Sequence, residues 1–402
     1  MNGEVVSRPP ARTRRYWMAV ILGSLSAFGP LSLDMYLPAL PALADDLHTS
    51  ASMVQLSLTA CLLGLALGQL VAGPVSDVQG RRKPLMIGLI VYALSSLACA
   101  FAPTVWGLVM LRFIQGVAGA AGIVISRAIV RDMYSGTELT KFFSLLMLIN
   151  GAAPILAPIF GGQLMRFTSW QGVFIVLGLI GVVMLLLVMF GMQETLPLER
   201  RMKGGFKTTM TVFRGLARNR VFMGYALASG LVTAAMFAYI SGSPFVLQEI
   251  YGVTPQMFSL IFAMNGLGII IAGQVTGRLT GRVSDTKLLI TGLGLATLGG
   301  VSLLVALLLE AGLIAVLVPL FFVVASVGIV NTTSFSLAMQ DQGQAAGTAS
   351  ALLGVLTFII GGVVAPFVGI GGSTTAIPMG VIIAVAEVGA VLCYLLLARK
   401  RG

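Results

Sequence analysis

Histidine, cysteine and charge are all scarce in this chain. His48 is the single histidine, and Cys61, Cys99 and Cys393 are the only cysteines among 402 residues. One imidazole in a short polar stretch does not make a His-based metal centre, so no metal is expected. Each cysteine falls inside an apolar run, where it reads as a packing residue rather than part of a disulfide framework. Lysine, arginine, aspartate and glutamate together supply 10% of the residues. With no histidine pair, no clustered acids and no nucleophile beside a base, there is nothing from which to assemble an active site. Neither an enzyme nor a cofactor is expected.

What the chain has in excess is hydrocarbon: 57% of its residues are hydrophobic. A soluble globular domain needs no such balance. Apolar runs long enough to cross a bilayer lie at about 16–40, 52–72, 84–102, 104–127, 142–166 and 170–192, then 220–245, 255–277, 287–309, 313–337, 348–370 and 375–398. The expectation is therefore an all-α transmembrane protein of twelve helices. Arginines ahead of the first run, and Ala42-Leu-Ala44 after it, imitate a secretory signal. The run is too long for one and many spans follow, so it reads as a retained first helix.

The one long polar connection, 193–219, carries Arg200, Arg201, Lys203, Lys207, Arg214 and Arg218. It divides the chain into a bundle at 1–192, a basic linker, and a second bundle at 220–402. The net charge of +11 could suggest nucleic acid, but its placement excludes that reading. All lysines and arginines except Arg112 and Arg166 fall in alternate connections, the pattern that keeps basic loops and both termini cytoplasmic. The halves also echo each other. Gly73-Pro-Val-Ser-Asp77-Val-Gln-Gly80-Arg81-Arg82-Lys83 follows the second run, and Gly277-Arg-Leu-Thr-Gly281-Arg-Val-Ser-Asp-Thr-Lys287 follows the eighth. Repeated halves with a site between them are a common build for secondary transporters.

Three ionisable residues lie within the runs: Asp34, Arg112 and Glu387. A charge at the centre of a lipid-spanning helix costs about 2.5–3.5 kcal/mol on insertion scales, which makes such residues functional candidates. Asp34 stands among Pro30, Pro38 and Pro41, which bend the segment and free backbone carbonyls. At 1.5 Å per residue Asp34 lies ~9 Å, and Arg112 ~12 Å, below the same boundary, so a direct or water-bridged interaction between them is an expectation. An arginine nearby favours the ionised carboxyl and burial the neutral one; a substrate could tip that competition. Glu387 accompanies Gly380, Ala384 and Val391 on one face of the last run, and a structural role is the favoured reading there.

In the Gly73–Pro84 loop, Gly73 lets helices approach, Asp77 lies one turn on, and Gly80 lets the chain turn. Arg81 and Arg82 can then pair with carboxylates or with helix carboxy-terminal ends. Gly151-Ala-Ala-Pro154-Ile-Leu-Ala-Pro158-Ile-Phe-Gly161-Gly162 implies a kinked fifth helix with a smooth face. Tyr36, Gln115, Met147, Tyr239, Asn265 and Asn331 are candidate substrate contacts in a mainly apolar interior, with helix packing as the competing reading.

The two halves, the Gly73–Arg82 loop, Arg112-Phe-Ile-Gln-Gly116 and the Gly151–Gly162 motif together resemble the major facilitator superfamily, specifically its twelve-helix drug:proton antiporters. Leu33-Asp-Met-Tyr-Leu-Pro-Ala-Leu-Pro41, with Tyr239-Ile-Ser-Gly-Ser-Pro-Phe-Val246 and Tyr251-Gly252, is similar to the Bcr/CflA branch, named for bicyclomycin and chloramphenicol resistance. The resemblance implies a major facilitator fold of two pseudo-symmetric six-helix bundles around a central cavity. It implies that Asp34 couples to protons with Arg112 as partner, that Asp77, Arg81 and Arg82 latch the cytoplasmic side, and that Pro154 and Pro158 belong to an antiporter motif. Val78 stands where the family usually has a basic residue. The implied function is proton-coupled efflux of a small drug across the inner membrane, with no oligomer required. An exporter of an endogenous metabolite is the alternative within transport. A non-transporting receptor is the alternative from another class, and it would predict a sizeable soluble segment.

Overall fold

A computed structural model describes residues 12–134, 136–201, 214–340, 346–372 and 374–398. The chain is helical throughout these stretches; the β pairing among the described residues is one isolated bridge between Thr280 and Val283. The first span is broken into α1 (Arg12–Ser26), α2 (Phe28–Asp34), a 3-10 turn at Leu37–Ala39, and α3 (Leu40–Asp46). Pro30, Pro38 and Pro41 each lack the N–H that a continuous helix needs. The segments Trp17–Ser26 and Phe28–Asp46 accordingly meet at a 42° bend.

The rest of the first half comprises α4 (Ala51–Gln79), α5 (Arg82–Ala100), α6 (Val105–Met133), α7 (Gly136–Leu164) and α8 (Trp170–Gly191). The second half comprises α9 (Arg220–Phe245), α10 (Pro255–Leu279), α11 (Asp285–Leu308), α12 (Leu313–Met339), α13 (Ala346–Val364) and α14 (Ile377–Cys393). Among the described residues, ten helices are long and apolar enough to cross a membrane, and the broken first span makes eleven. The expected fifth span is α7, 29 residues long and carrying Pro154 and Pro158 inside it. Its described apolar part is Leu148–Leu164. The middle of the expected linker, 202–213, lies outside the described residues.

Side-chain caps start several helices where the sequence turns from polar to apolar. Ser50 accepts from the Met53 N–H, Thr104 from Gly107, Asn219 from Phe222 and Thr254 from Met257. Each cap satisfies one of the amide donors that a helix start leaves free. Gly80 and Gly281 both take positive φ, +93° and +88°, so the echoed loops of the two halves turn in the same left-handed way.

One large apolar cluster unites the halves at the end away from these loops, running from Leu33 and Val54 through Tyr239, Phe258 and Val368. Nearer the basic loops the clusters separate. Met18, Leu85, Ile129 and Val188 belong to one in the first half, while Ala228, Leu293 and Tyr394 belong to another in the second.

Candidate functional site

Asp34 ends α2 and is 6% exposed. Its carboxyl has no hydrogen bond or ion pair with any described residue. The backbone after it is pressed against α7: a Cβ on Gly161 would come within 1.8 Å of the Met35 carbonyl oxygen, so no larger residue fits without parting the two segments. The 3-10 turn that follows faces the other half, where Gln248 Nε2 donates to the Pro38 carbonyl at 3.3 Å. Tyr239, on α9, lies within electrostatic range of Asp34. The carboxyl therefore sits at the seam between halves, away from the lipid-facing surface.

Arg112, on α6, is fully buried. Its guanidinium lies 4.3 Å from the centre of the Tyr36 ring and 5.6 Å from that of Phe174. It donates through Nη1 to Gln115 Oε1, and Gln115 Nε2 donates to Ser96 Oγ at 2.7 Å. Tyr36 is in turn held by a 3.1 Å hydrogen bond between its hydroxyl and Ser57 Oγ. The expected direct pairing of Asp34 with Arg112 is absent: Tyr36, two residues beyond Asp34, covers a face of the guanidinium instead. Among the described residues Arg112 Nε and Nη2 have no hydrogen-bond partner. An aromatic cage stabilises such a buried cation, by ~2 kcal/mol where desolvated, but it does not neutralise the charge.

The candidate substrate residues thus divide into separate groups. Tyr36 and Gln115 gather around Arg112. Tyr239 and Asn265 form a second pair, with Asn265 Nδ2 donating to the Tyr239 hydroxyl at 2.9 Å and Phe262 stacked on the phenol at 5.5 Å. Asn331 stands apart on α12, its Oδ1 accepting from Ser229 at 2.7 Å and Thr233 at 3.3 Å, which joins α12 to α9. The Met147 side chain lies outside the described residues. A hollow of about 750 Å³ opens between α1, α2, α7 and α8, lined by Ser24, Leu31, Ala153, Phe160, Leu179 and Met184. It belongs to the first half rather than to the seam, and Asp34 is not in its lining.

At the basic end, Gly80 turns the chain so that Arg81 folds back under α4. Arg81 is 5% exposed. Its Nη1 donates to Asp77 Oδ1 at 2.5 Å and to Ser76 Oγ at 2.9 Å, and its Nε donates to Asp132 Oδ2 at 2.8 Å. Glu194, just past α8, takes the backbone N–H groups of Arg81 and Arg82 at 2.8 and 3.1 Å. Partial burial pushes the Glu194 carboxyl up, but N–H groups of Leu196, Arg81, Arg82 and Thr195 outweigh it and hold the group below the usual carboxylate range. Arg82 Nη2 donates to the Met189 carbonyl at 2.6 Å, at the carboxy-terminal end of α8. Gly73 is within α4, where an added Cβ would meet only Val124 at an ordinary 3.6 Å. These contacts join helices of the first half to one another and to the start of the linker, and none reaches the second half. Val78 points away and is 50% exposed. In the echoed loop, Asp285 accepts from Ser336 Oγ at 2.8 Å, and among the described residues no arginine there repeats the part of Arg81.

Sequence reasoning did not single out Asp132, Glu194, Ser96 or Phe174. Asp132 and Glu194 are acids at helix ends on the basic side, which is the signal that could have found them. Ser96 and Phe174 look like ordinary residues of an apolar span. In the Gly151–Gly162 motif, Gly151 meets Ile270 and Gly162 meets Ser259, both on α10, while Gly161 meets Met35. The motif is therefore the face on which α7 touches both the first span and the opposite half. Glu387 is fully buried between α14 and α11, beside Gly300, and neither carboxyl oxygen has a hydrogen-bond partner.

A helical membrane protein with echoed halves and a buried carboxyl at their seam belongs among the secondary transporters. Comparison with known proteins makes this specific: the Major Facilitator Superfamily family model matches residues 21–366, and the chain belongs to that family. It is 47% identical over 394 residues, 98% of each chain, to the uncharacterized MFS-type transporter YdgK of Bacillus subtilis. It is 32% identical over 379 residues to a bicyclomycin resistance protein homolog of Haemophilus influenzae, covering 94% of this chain and 95% of that one. The nucleoside transporter NupG shares the fold at a TM-score of 0.78 and 11% identity, over 95% of this chain and all of the other. The protein is a multi-pass membrane transporter and not an enzyme.

Proposed function

We propose that this transporter is a proton-coupled exporter of small, fairly hydrophobic molecules, working by alternating access in the cytoplasmic membrane. The observation that carries the reading is Asp34: a carboxyl at the seam between the halves, nearly sealed from solvent and without a fixed partner. Such a group changes protonation when its surroundings change, because burial penalises its charged form and a nearby cation favours it. Residues 1–192 and 220–402 are taken as the two bundles that rock about the seam, joined by the linker at 193–219. The relative named for bicyclomycin resistance supports a drug-like substrate.

In the proposed cycle Asp34 is protonated from outside as substrate leaves and deprotonates inward as new substrate binds. Arg112 is its electrostatic partner in the state where Tyr36 no longer covers the guanidinium. Tyr36, Gln115, Met147, Tyr239, Asn265 and Asn331 are the proposed substrate contacts. Gly73, Asp77, Gly80, Arg81 and Arg82 are the proposed cytoplasmic gate, and Gly151, Pro154, Pro158, Gly161 and Gly162 the face on which the bundles move. Basic loops and both termini face the cytoplasm by the positive-inside rule.

The test is transport in proteoliposomes under an imposed pH gradient, with compounds chosen by a resistance screen of a susceptible host. Asp34→Asn is expected to abolish accumulation against the substrate gradient while leaving substrate binding measurable. Undiminished gradient-driven accumulation by Asp34→Asn would refute the role assigned to this carboxyl.

A further inference from the structure

Ser52, Gln55 and Thr59 stand at i, i+3 and i+7 on α4, on one face of the helix. Each donates across the seam to a backbone carbonyl in the second half. Ser52 Oγ donates to Pro366 O at 2.8 Å, Gln55 Nε2 to Ser241 O at 3.0 Å, and Thr59 Oγ1 to Gly362 O at 2.8 Å. The Gly362 carbonyl is the one for which Pro366, four residues on, has no N–H to offer. The break that ends α13 in a 3-10 turn, Ala365–Gly369, thus presents acceptors to α4.

The same device recurs on the other side of the seam with the halves exchanged. Gln256 Nε2, on α10, donates to Gly162 O at 3.0 Å, and Ser259 Oγ donates to Pro158 O at 2.7 Å. The register matches. Ser52 and Gln55 lie two and five residues after the cap Ser50, and Gln256 and Ser259 lie two and five after the cap Thr254. The acceptors match for the first donor of each pair, since Pro366 and Gly162 both lie at the proline-bearing end of the facing helix, whereas Gln55 reaches Ser241 on α9 and Ser259 reaches Pro158 on α7. Both junctions are closed to the backbone. A Cβ on Gly369 would come within 2.5 Å of Gln55 Oε1 and 2.6 Å of Ser52 N, and one on Gly162 within 2.3 Å of Ser259 Oγ.

We infer that Ser52, Gln55 and Thr59 with Gln256 and Ser259 form a two-fold-related pair of latches that hold the seam shut at the end away from the basic loops. This rests on the alternating-access reading above, in which that end opens during each cycle. The donors serve one half and the acceptors the other, so the bonds break only if the halves part. Arg81–Asp132, Ser229–Asn331 and Asn265–Tyr239, by contrast, join helices within a half. Closure also leaves Gln55 Oε1 buried without a donor, a penalty that opening relieves and that keeps the latch reversible.

The experiment places spin labels on Phe101→Cys and Leu309→Cys, at the latched end of opposite halves and 77% and 74% exposed, in the full chain in lipid nanodiscs. Cys393 is replaced, and Cys61 and Cys99 are buried beyond the reach of the label. Pulsed electron paramagnetic resonance then reads the distance between halves without substrate. Ser52→Ala/Gln55→Ala and Gln256→Ala/Ser259→Ala are each expected to raise the long-distance population about fivefold or more. Gly369→Ala, which inserts a methyl group instead of deleting a bond, is expected to shift the population the same way. Unchanged distances in folded, monodisperse double variants overturn the latch, and a shift from one pair alone overturns its two-fold character. Because no transport is measured, failure of the parent protein to move substrate with protons would register separately.

Discussion

Asp34 and Arg112 lie in the same half of the chain at similar depth, yet they do not touch. Tyr36 accounts for the separation, because its ring takes the face of the guanidinium and its hydroxyl is fixed by Ser57. A cation buried this deeply without a carboxylate relies on shape as much as on charge. Lysine keeps the charge but neither the planar stacking nor the fork that reaches Gln115. Arg112→Lys is therefore expected to lower stability by about 1–2 kcal/mol, the order of a desolvated cation–π contact, in thermal unfolding of the purified protein. Equal melting of the variant and parent would show that the cage contributes nothing. The residue scale also exposes the limit of depth as an argument: matching depths along two helices leave their facing undetermined.

At the scale of elements, the Gly80 turn is an anchoring device rather than a plain connection. It draws α4, α5, α6 and the segment after α8 onto Arg81 and Glu194. Because Glu194 is held below the usual carboxylate range, its folded form favours the ionised state. Its contribution is then present above the ordinary glutamate value near 4.3 and is lost as pH falls through the depressed value. Hydrogen exchange at the Arg81 and Arg82 amides is expected to stay slow from neutral pH down past the ordinary glutamate value and to quicken in more acid solution, after correction for intrinsic rates. Glu194→Gln is expected to quicken both amides about fivefold at neutral pH, a modest effect because the carboxyl is largely exposed. Protection that ignores both acid and the substitution would show that Glu194 holds nothing.

On the scale of the whole molecule, the apolar cluster shared by both halves and the cross-half hydrogen bonds gather at one end, and the basic loops lie at the other. Under the proposed orientation, with basic loops inside, the structure is one that is shut toward the outside. A reporter enzyme that works only in the periplasm, fused after Gly402, is expected to stay silent, and a cytoplasmic reporter at the same point to be active. The reverse pattern would invert the orientation and exchange the two gates.

The run of apolar spans and the Gly80 turn were readable from residue order, because each depends on local composition or on one backbone requirement. The broken first span was readable for the same reason: proline acts on its own helix whatever packs around it. Asp132 and Glu194 were not, although both are ordinary acids at helix ends, since their role comes from meeting Arg81 across tens of residues. Nor could order alone show that Asn331 joins helices within a half while Ser259 joins the halves. The sequence by itself determined which residues are costly to place in a bilayer, roughly where the apolar helices lie and where prolines bend the first of them, through hydropathy and chain geometry. Which polar groups face one another, and across which seam, only the tertiary structure decided, because a helix face acquires a partner only when bundles pack.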